Sequence, residues 1–166
     1  MRHLIDFGDL TRAEWESLYQ RCSDIMDHPA DFMDACRGRV MASLFYEPST
    51  RTNFSFQTAM LRVGGTVFGF ADPKSTSTAK GETLKDTIKM VSGYADVVVM
   101  RNPKEGAAKA ASLYSDVPVI NAGDGGHMHP TQTTADLTTI TRLRGKVDGL
   151  SVGLCGDLKN GRTVHS

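Results

Sequence analysis

Apolar positions fall at helical intervals in some stretches of this chain and in short runs in others, and each change marks a new element. Thr11-Arg12-Ala13-Glu14 has capping-box spacing. Trp15, Leu18, Tyr19, Cys22, Ile25 and Met26 follow at helical intervals, which predicts a first helix ending near His28-Pro29. Val40 to Tyr46 reads as a buried strand. A helix opening at Ser49 carries Phe56, Ala59, Met60 and Val63 on one side and stops at Gly64-Gly65. Thr66 to Phe70 is a second strand, and the polar, Ser/Thr-rich stretch Asp72 to Gly81 leads into helical period from Glu82 to Tyr94. Val97 to Met100 is a third strand, Glu105 to Tyr114 an alanine-rich helix, Val117 to Asn121 a fourth strand, Thr131 to Arg144 a helix and Leu150 to Cys155 a fifth strand. Strands alternating with helices across short connections predict an α/β fold: a parallel sheet flanked by helices on both faces.

Such sheets bind ligands at the carboxyl ends of their strands, and polar residues gather there after the first, third, fourth and fifth predicted strands. After the first, Glu47-Pro48-Ser49-Thr50-Arg51-Thr52 joins a strand to a helix. A helix start offers unpaired N–H groups and the positive end of the dipole, Ser49, Thr50 and Thr52 add short donors, and the Arg51 guanidinium matches phosphate oxygens. The plainer alternative is an ordinary N-cap with a solvated arginine. Arg101 leaves the third strand where a second cation suits a dianion; alternatively it pairs with Asp96 or Glu105. The run Asn121-Ala122-Gly123-Asp124-Gly125-Gly126-His127-Met128-His129-Pro130-Thr131-Gln132 places His129 just before a helix, where the dipole disfavours the cationic ring and leaves a neutral imidazole able to donate to a carbonyl oxygen. His127 with His129 lacks a third ligand at useful spacing, so no metal site is expected.

Composition narrows the partners. Lys plus Arg and Asp plus Glu are both 19, and no basic block stands out, so nothing calls for nucleic acid or an anionic membrane. No apolar run reaches bilayer length, and Asp6 interrupts the N-terminus before a signal-peptide core could form, so a soluble, cytoplasmic protein is expected. Cys22, Cys36 and Cys155 show neither disulfide-framework nor zinc spacing.

Phe45 to Thr52, Ser75 to Thr83, Val99-Met100-Arg101, Asn121 to Gln132 and Gly156 to Ser166 together resemble the catalytic chains of aspartate carbamoyltransferases, over essentially the whole sequence. The Ser-Thr-Arg-Thr turn is shared with ornithine carbamoyltransferases, whereas Asn-Ala-Gly-Asp-Gly before His-Pro-Thr-Gln and the final Gly-Arg-Thr-Val-His-Ser are similar to the aspartate branch. The resemblance implies transfer of the carbamoyl group of carbamoyl phosphate to L-aspartate, giving N-carbamoyl-L-aspartate and phosphate in pyrimidine biosynthesis, without a cofactor. It assigns the phosphate to Ser49, Thr50, Arg51 and Thr52, the carbamoyl oxygen to Thr52, Arg101 and His129, and the carbamoyl amino group to Gln132. It further implies that Ser77 and Lys80 enter the site of a neighbouring subunit, with Ser75 the alternative to Ser77, that Lys80 and Arg162 bind aspartate, and that the active unit is a homotrimer, with or without a zinc-binding regulatory chain.

The family chain is longer and continues past Ser166. Residues 1–145 are therefore expected to form the carbamoyl-phosphate domain with its connecting helix, and 146–166 the start of an aspartate-binding domain. The expected behaviour of these 166 residues is to hold carbamoyl phosphate without turning over aspartate at a normal rate. Two alternatives remain open: a carbamoyltransferase for another amine such as ornithine, and a non-catalytic carbamoyl-phosphate-binding domain.

Overall fold

A computed structural model of the chain describes residues 1–159 together with Gly161 and Val164. Strands β1 (Val40–Phe45), β2 (Thr66–Phe70), β3 (Val97–Asn102) and β4 (Val119–Asp124) alternate with helices α2 (Thr50–Arg62), α3 (Leu84–Val91), α4 (Ala107–Ser112) and α5 (Pro130–Arg144), after a leading α1 (Arg12–Asp27). Every strand pairing is parallel, in the order β2-β1-β3-β4. Side chains alternate between the two faces of the sheet. Ala42, Leu44, Val98 and Met100 meet Ile88 and Val91 of α3 and Ala107, Ala108 and Ala111 of α4. Met41, Phe45, Val99 and Ala122 meet Phe56, Met60 and Val63 at α2. The expected helix-covered parallel sheet is thus present. Leu44, Phe45, Ile88, Val98, Val99 and Met100 are all under 2% exposed, and burial of such side chains stabilises by roughly 1.5–3 kcal/mol each.

Several expected boundaries shift for local reasons. Helix α3 begins only after Thr83, whose hydroxyl oxygen accepts from the Asp86 N–H at 3.2 Å. Helix α4 begins after Gly106, which at φ +76° cannot continue a right-handed helix back to Glu105. The expected fifth strand is a correction: Leu150 to Cys155 adopts no regular element, and Leu150, Val152 and Leu154 are 37%, 64% and 57% exposed. A strand needs a neighbour to take its backbone hydrogen bonds. The outer side of β4 is already occupied, because the Leu4 N–H donates to the Val119 carbonyl at 2.9 Å and the Asn121 N–H to the Leu4 carbonyl at 2.8 Å.

That short N-terminal pairing is also pH-sensitive. The Val119 N–H donates to His3 Nδ1 at 3.1 Å, which requires that nitrogen to be unprotonated. Burial, then the N-terminal ammonium and Lys109, push His3 below the ordinary histidine range. A group that binds fewer protons folded than unfolded supports stability above its unfolded pKa, about 6.5, and loses that support as pH falls through its lower folded value. Urea unfolding at pH 7 and pH 5 is expected to show a smaller acid-induced loss for His3→Ala than for the wild type; equal losses would separate His3 from the effect.

Candidate functional site

The chain runs from β1 to β2 on one side and then returns to place β3 on the other, so the strand order reverses between β1 and β3. A crevice opens there beyond the strand ends. The register pairs Phe45 with Arg101, and the Tyr46 N–H donates to the Arg101 carbonyl at 2.8 Å. The end of β3 therefore lies beside the turn that starts α2.

That turn is built from below. Asn53, 5% exposed on the inner side of α2, accepts from Ser43 Oγ of β1 at 3.0 Å, which pins the first helical turn to the sheet, and from Gln57 Nε2 of its own helix at 2.7 Å. Ser49 occupies the N-cap position with extended backbone, yet its side chain makes no capping bond. The first bond of this helix start runs from the Asn53 N–H to the Ser49 carbonyl at 3.3 Å, so the amides of Thr50, Arg51 and Thr52 precede the intrahelical ladder. Ser49, Thr50, Arg51 and Thr52 line a notch of about 350 Å³ with Arg101. Arg51, Thr52 and Arg101 also line an adjoining cleft of about 770 Å³ with His129 and Gln132. All seven residues expected to contact the phosphate or the carbamoyl group thus come together from β1–α2, β3 and the start of α5.

Arg101 does not pair with Asp96 or Glu105. Its Nε donates to Glu47 Oε1 at 2.6 Å and its Nη1 reaches Thr52 Oγ1 at 3.5 Å, while Asp96 instead pairs with Arg39 at 2.7 Å. The Arg101 and Glu47 side chains are only 14% and 20% exposed. Glu47 turns one edge of the guanidinium away and leaves Nη1 toward Thr52, so this carboxylate aims the cation. His129 sits at the N-cap of α5 with Pro130 as the first helical residue, and its Nδ1 lies 3.3 Å from the Thr131 hydroxyl. When that hydroxyl donates to Nδ1, the neutral ring carries its proton on Nε2. Gln132 lies exposed in the first turn of α5, its Nε2 donating to Asp136 Oδ1 at 3.0 Å.

Ser77 and Lys80 stay apart from this cleft. They line a separate hollow of about 620 Å³ against Phe68, Phe70 and Met90 near the edge strand β2. Arg162 lies outside the described residues. Sequence reasoning assigned no part in the site to Glu47 or Asn53, nor to Ser55, Phe56, Ala59, Thr131 and Ala135, which complete the cleft wall. A glutamate immediately before the hydroxyl-rich turn was the available signal for Glu47; Asn53 reads from sequence only as one more polar helix residue.

Two cations, several short donors and a helix start at the switch point of a parallel sheet define an α/β domain with a crevice suited to an oxyanion. Comparison with known proteins narrows that class: the chain belongs to the aspartate/ornithine carbamoyltransferase family, whose carbamoyl-phosphate-binding domain matches residues 2–142. An aspartate carbamoyltransferase catalytic subunit from Clostridium perfringens is 56% identical over 99% of this chain and 54% of its own length, and one from Clostridium acetobutylicum is 58% identical with the same coverage. The structure of Trypanosoma cruzi aspartate transcarbamoylase in complex with carbamoyl phosphate and aspartate superposes with a TM-score of 0.92 at 40% identity, over 99% of this chain and 55% of that one. The catalytic subunit of M. jannaschii aspartate transcarbamoylase gives 0.90 at 50% identity, over 100% of this chain and 55% of its own. The chain spans about half the length of the curated relatives it matches.

Replacing Glu47 tests how Arg101 is held. Glu47→Gln leaves a half-buried guanidinium without its counter-charge, at an expected cost of about 1–3 kcal/mol in thermal unfolding. Added inorganic phosphate is expected to raise the variant's Tm more than the wild type's. Identical melting curves with and without phosphate would remove Glu47 from the site.

Proposed function

We propose that this chain provides the carbamoyl-phosphate half of an aspartate carbamoyltransferase site. The observation that carries the reading is the convergence of Ser49, Thr50, Arg51, Thr52, Arg101, His129 and Gln132 on two adjoining hollows at one switch point. In this reading the phosphate dianion lies in the notch, held by the α2 start and the Ser49 and Thr50 hydroxyls and neutralised by Arg51 and Arg101. The carbonyl oxygen points at Thr52, Arg101 and the His129 Nε2–H, and the carbamoyl amino group at the Gln132 side chain.

The chemistry follows from that placement. The unprotonated amine of L-aspartate attacks the carbamoyl carbon, the carbonyl π electrons move to oxygen, and the three donors stabilise the developing oxyanion. The carbonyl re-forms as the C–O bond to phosphate breaks, the electron pair leaves with phosphate, and the amine nitrogen loses a proton that ends on the departing phosphate oxygen, giving N-carbamoyl-L-aspartate and hydrogen phosphate. Both arginines favour the departing charge. Holding the two reactants in line supplies much of the acceleration, and no covalent enzyme intermediate is needed.

The acceptor side involves Lys80 and Arg162, with Ser77 and Lys80 reaching a neighbouring subunit of a homotrimer. The position of Ser77 and Lys80 in a hollow apart from their own chain's cleft supports such sharing. Residues 1–145 form the carbamoyl-phosphate domain and 146–166 begin the aspartate-binding one. The product feeds pyrimidine biosynthesis in the cytoplasm, and the homotrimer acts with or without a zinc-binding regulatory chain.

Titration calorimetry tests the half of the site that is described. Carbamoyl phosphate is expected to bind the chain more tightly than inorganic phosphate. Arg51→Ala and Arg101→Ala should each weaken it by roughly 10- to 100-fold, the worth of one hydrogen bond to a charged group. Binding unaffected by both substitutions would overturn the assignment.

A further inference from the structure

We propose that Asp124 is a positioning residue for His129: its buried carboxylate shapes the loop that presents the imidazole to the acyl half of the ligand. The inference rests on the carbamoyl-phosphate reading above and adds to it a residue outside the ligand-contacting set. Asp124 ends β4, lines neither hollow of the site, and is 2% exposed. Its Oδ1 accepts from Asn121 Nδ2 and from the Met128 N–H, each at 3.1 Å, and its Oδ2 accepts from the Gly106 N–H at 2.9 Å. One carboxylate therefore ties together the end of β4, the residue immediately before His129 and the start of α4.

The backbone closes the same loop a second time. The Asp124 N–H donates to the Met128 carbonyl at 3.2 Å, and the His127 N–H donates to the Asp124 carbonyl at 3.1 Å. Met128 is thus held at both its N–H and its carbonyl by Asp124, and His129 follows with no residue between. The Gly125 N–H donates to the Asn102 carbonyl at 2.8 Å, which fastens the loop to β3 one residue beyond Arg101. Gly125 has φ +57°, and a Cβ there would stand 2.5 Å from Glu105 Cγ, so the tight path admits little else. The carboxylate itself needs donors on both oxygens. It presents only lone pairs to its three donors, whereas a carboxamide has one acceptor oxygen and an NH₂ that faces an N–H group whichever way it is turned. Burying a carboxylate is costly unless its oxygens are satisfied, and here they are satisfied by groups that define where His129 starts.

A plain turn-stabilising aspartate would support the fold as a whole, whereas a positioning residue acts on His129 alone. Two ligands separate the cases, since inorganic phosphate engages the α2 start and the arginines, and carbamoyl phosphate also engages His129. Asp124→Asn is expected to bind inorganic phosphate within about twofold of the wild type while its preference for carbamoyl phosphate over phosphate falls roughly tenfold, the worth of one misplaced hydrogen bond. The His129 ring nitrogens should shift in ¹⁵N NMR of the same variant. Asn121→Ser, which removes one donor to Asp124, should move both readouts the same way by less, and it decides the matter should Asp124→Asn not fold. Folded variants that keep the full preference, or that lose both ligands equally, would overturn the positioning role. A wild-type chain that binds phosphate but shows no preference for carbamoyl phosphate would instead overturn the functional reading on which it rests.

Discussion

The ligand end of this sheet depends on β1 and β3 lying side by side with Phe45 opposite Arg101. That register brings a guanidinium from one strand against the helix start that follows another, two features separated by about fifty residues of chain. Concentrating positive charge in this way is costly unless something balances it, and Glu47 does so from within the turn, with its carboxylate 2.6 Å from Arg101 Nε. A half-buried pair of this kind is weak evidence for stability in itself. Its consequence here is direction: the guanidinium is held along the crevice rather than free to fold back on the sheet.

Around this centre, three buried polar side chains do what apolar packing cannot. Hydrophobic contacts set how close an element comes but leave its rotation loosely defined, whereas hydrogen bonds in a dry interior have direction and are expensive to break. Asn53 fixes α2 about its axis through Ser43 of β1. Asn121 holds the N-terminal segment through the Ile5 carbonyl at 3.0 Å and passes a second bond to Asp124. Asp124 then holds the approach to α5. The two ends of the cleft, the hydroxyl-rich turn and the imidazole, are therefore each fastened to the sheet by satisfied polar groups.

Much of this could be read in advance. The capping box at Thr11 and Glu14 is formed as its spacing implied, with the Glu14 N–H donating to Thr11 Oγ1 and the Thr11 N–H to Glu14 Oε2. The helices were legible from apolar residues at helical spacing, because burying one face leaves that period in the chain, and β1, β3 and β4 from short apolar runs, because a strand covered on both faces keeps no alternation. The Leu150 to Cys155 run carries the same strand signal and forms none, since periodicity records what a segment can pair with and not whether a partner edge is open.

By itself the sequence determined most element types and the parallel helix-covered sheet, and it marked the hydroxyl-rich turn and Arg101 as candidate anion contacts, because those follow from local geometry and from side-chain chemistry. The tertiary structure alone decided the strand order, and with it that the crevice opens between β1 and β3. It also chose Glu47 over Asp96 and Glu105 as the partner of Arg101, and kept Ser77 and Lys80 out of the cleft formed by their own chain. Each of these is a relation between segments far apart in sequence. Such relations are set by which faces and edges compete for one another during packing, and no local pattern of residues encodes the outcome of that competition.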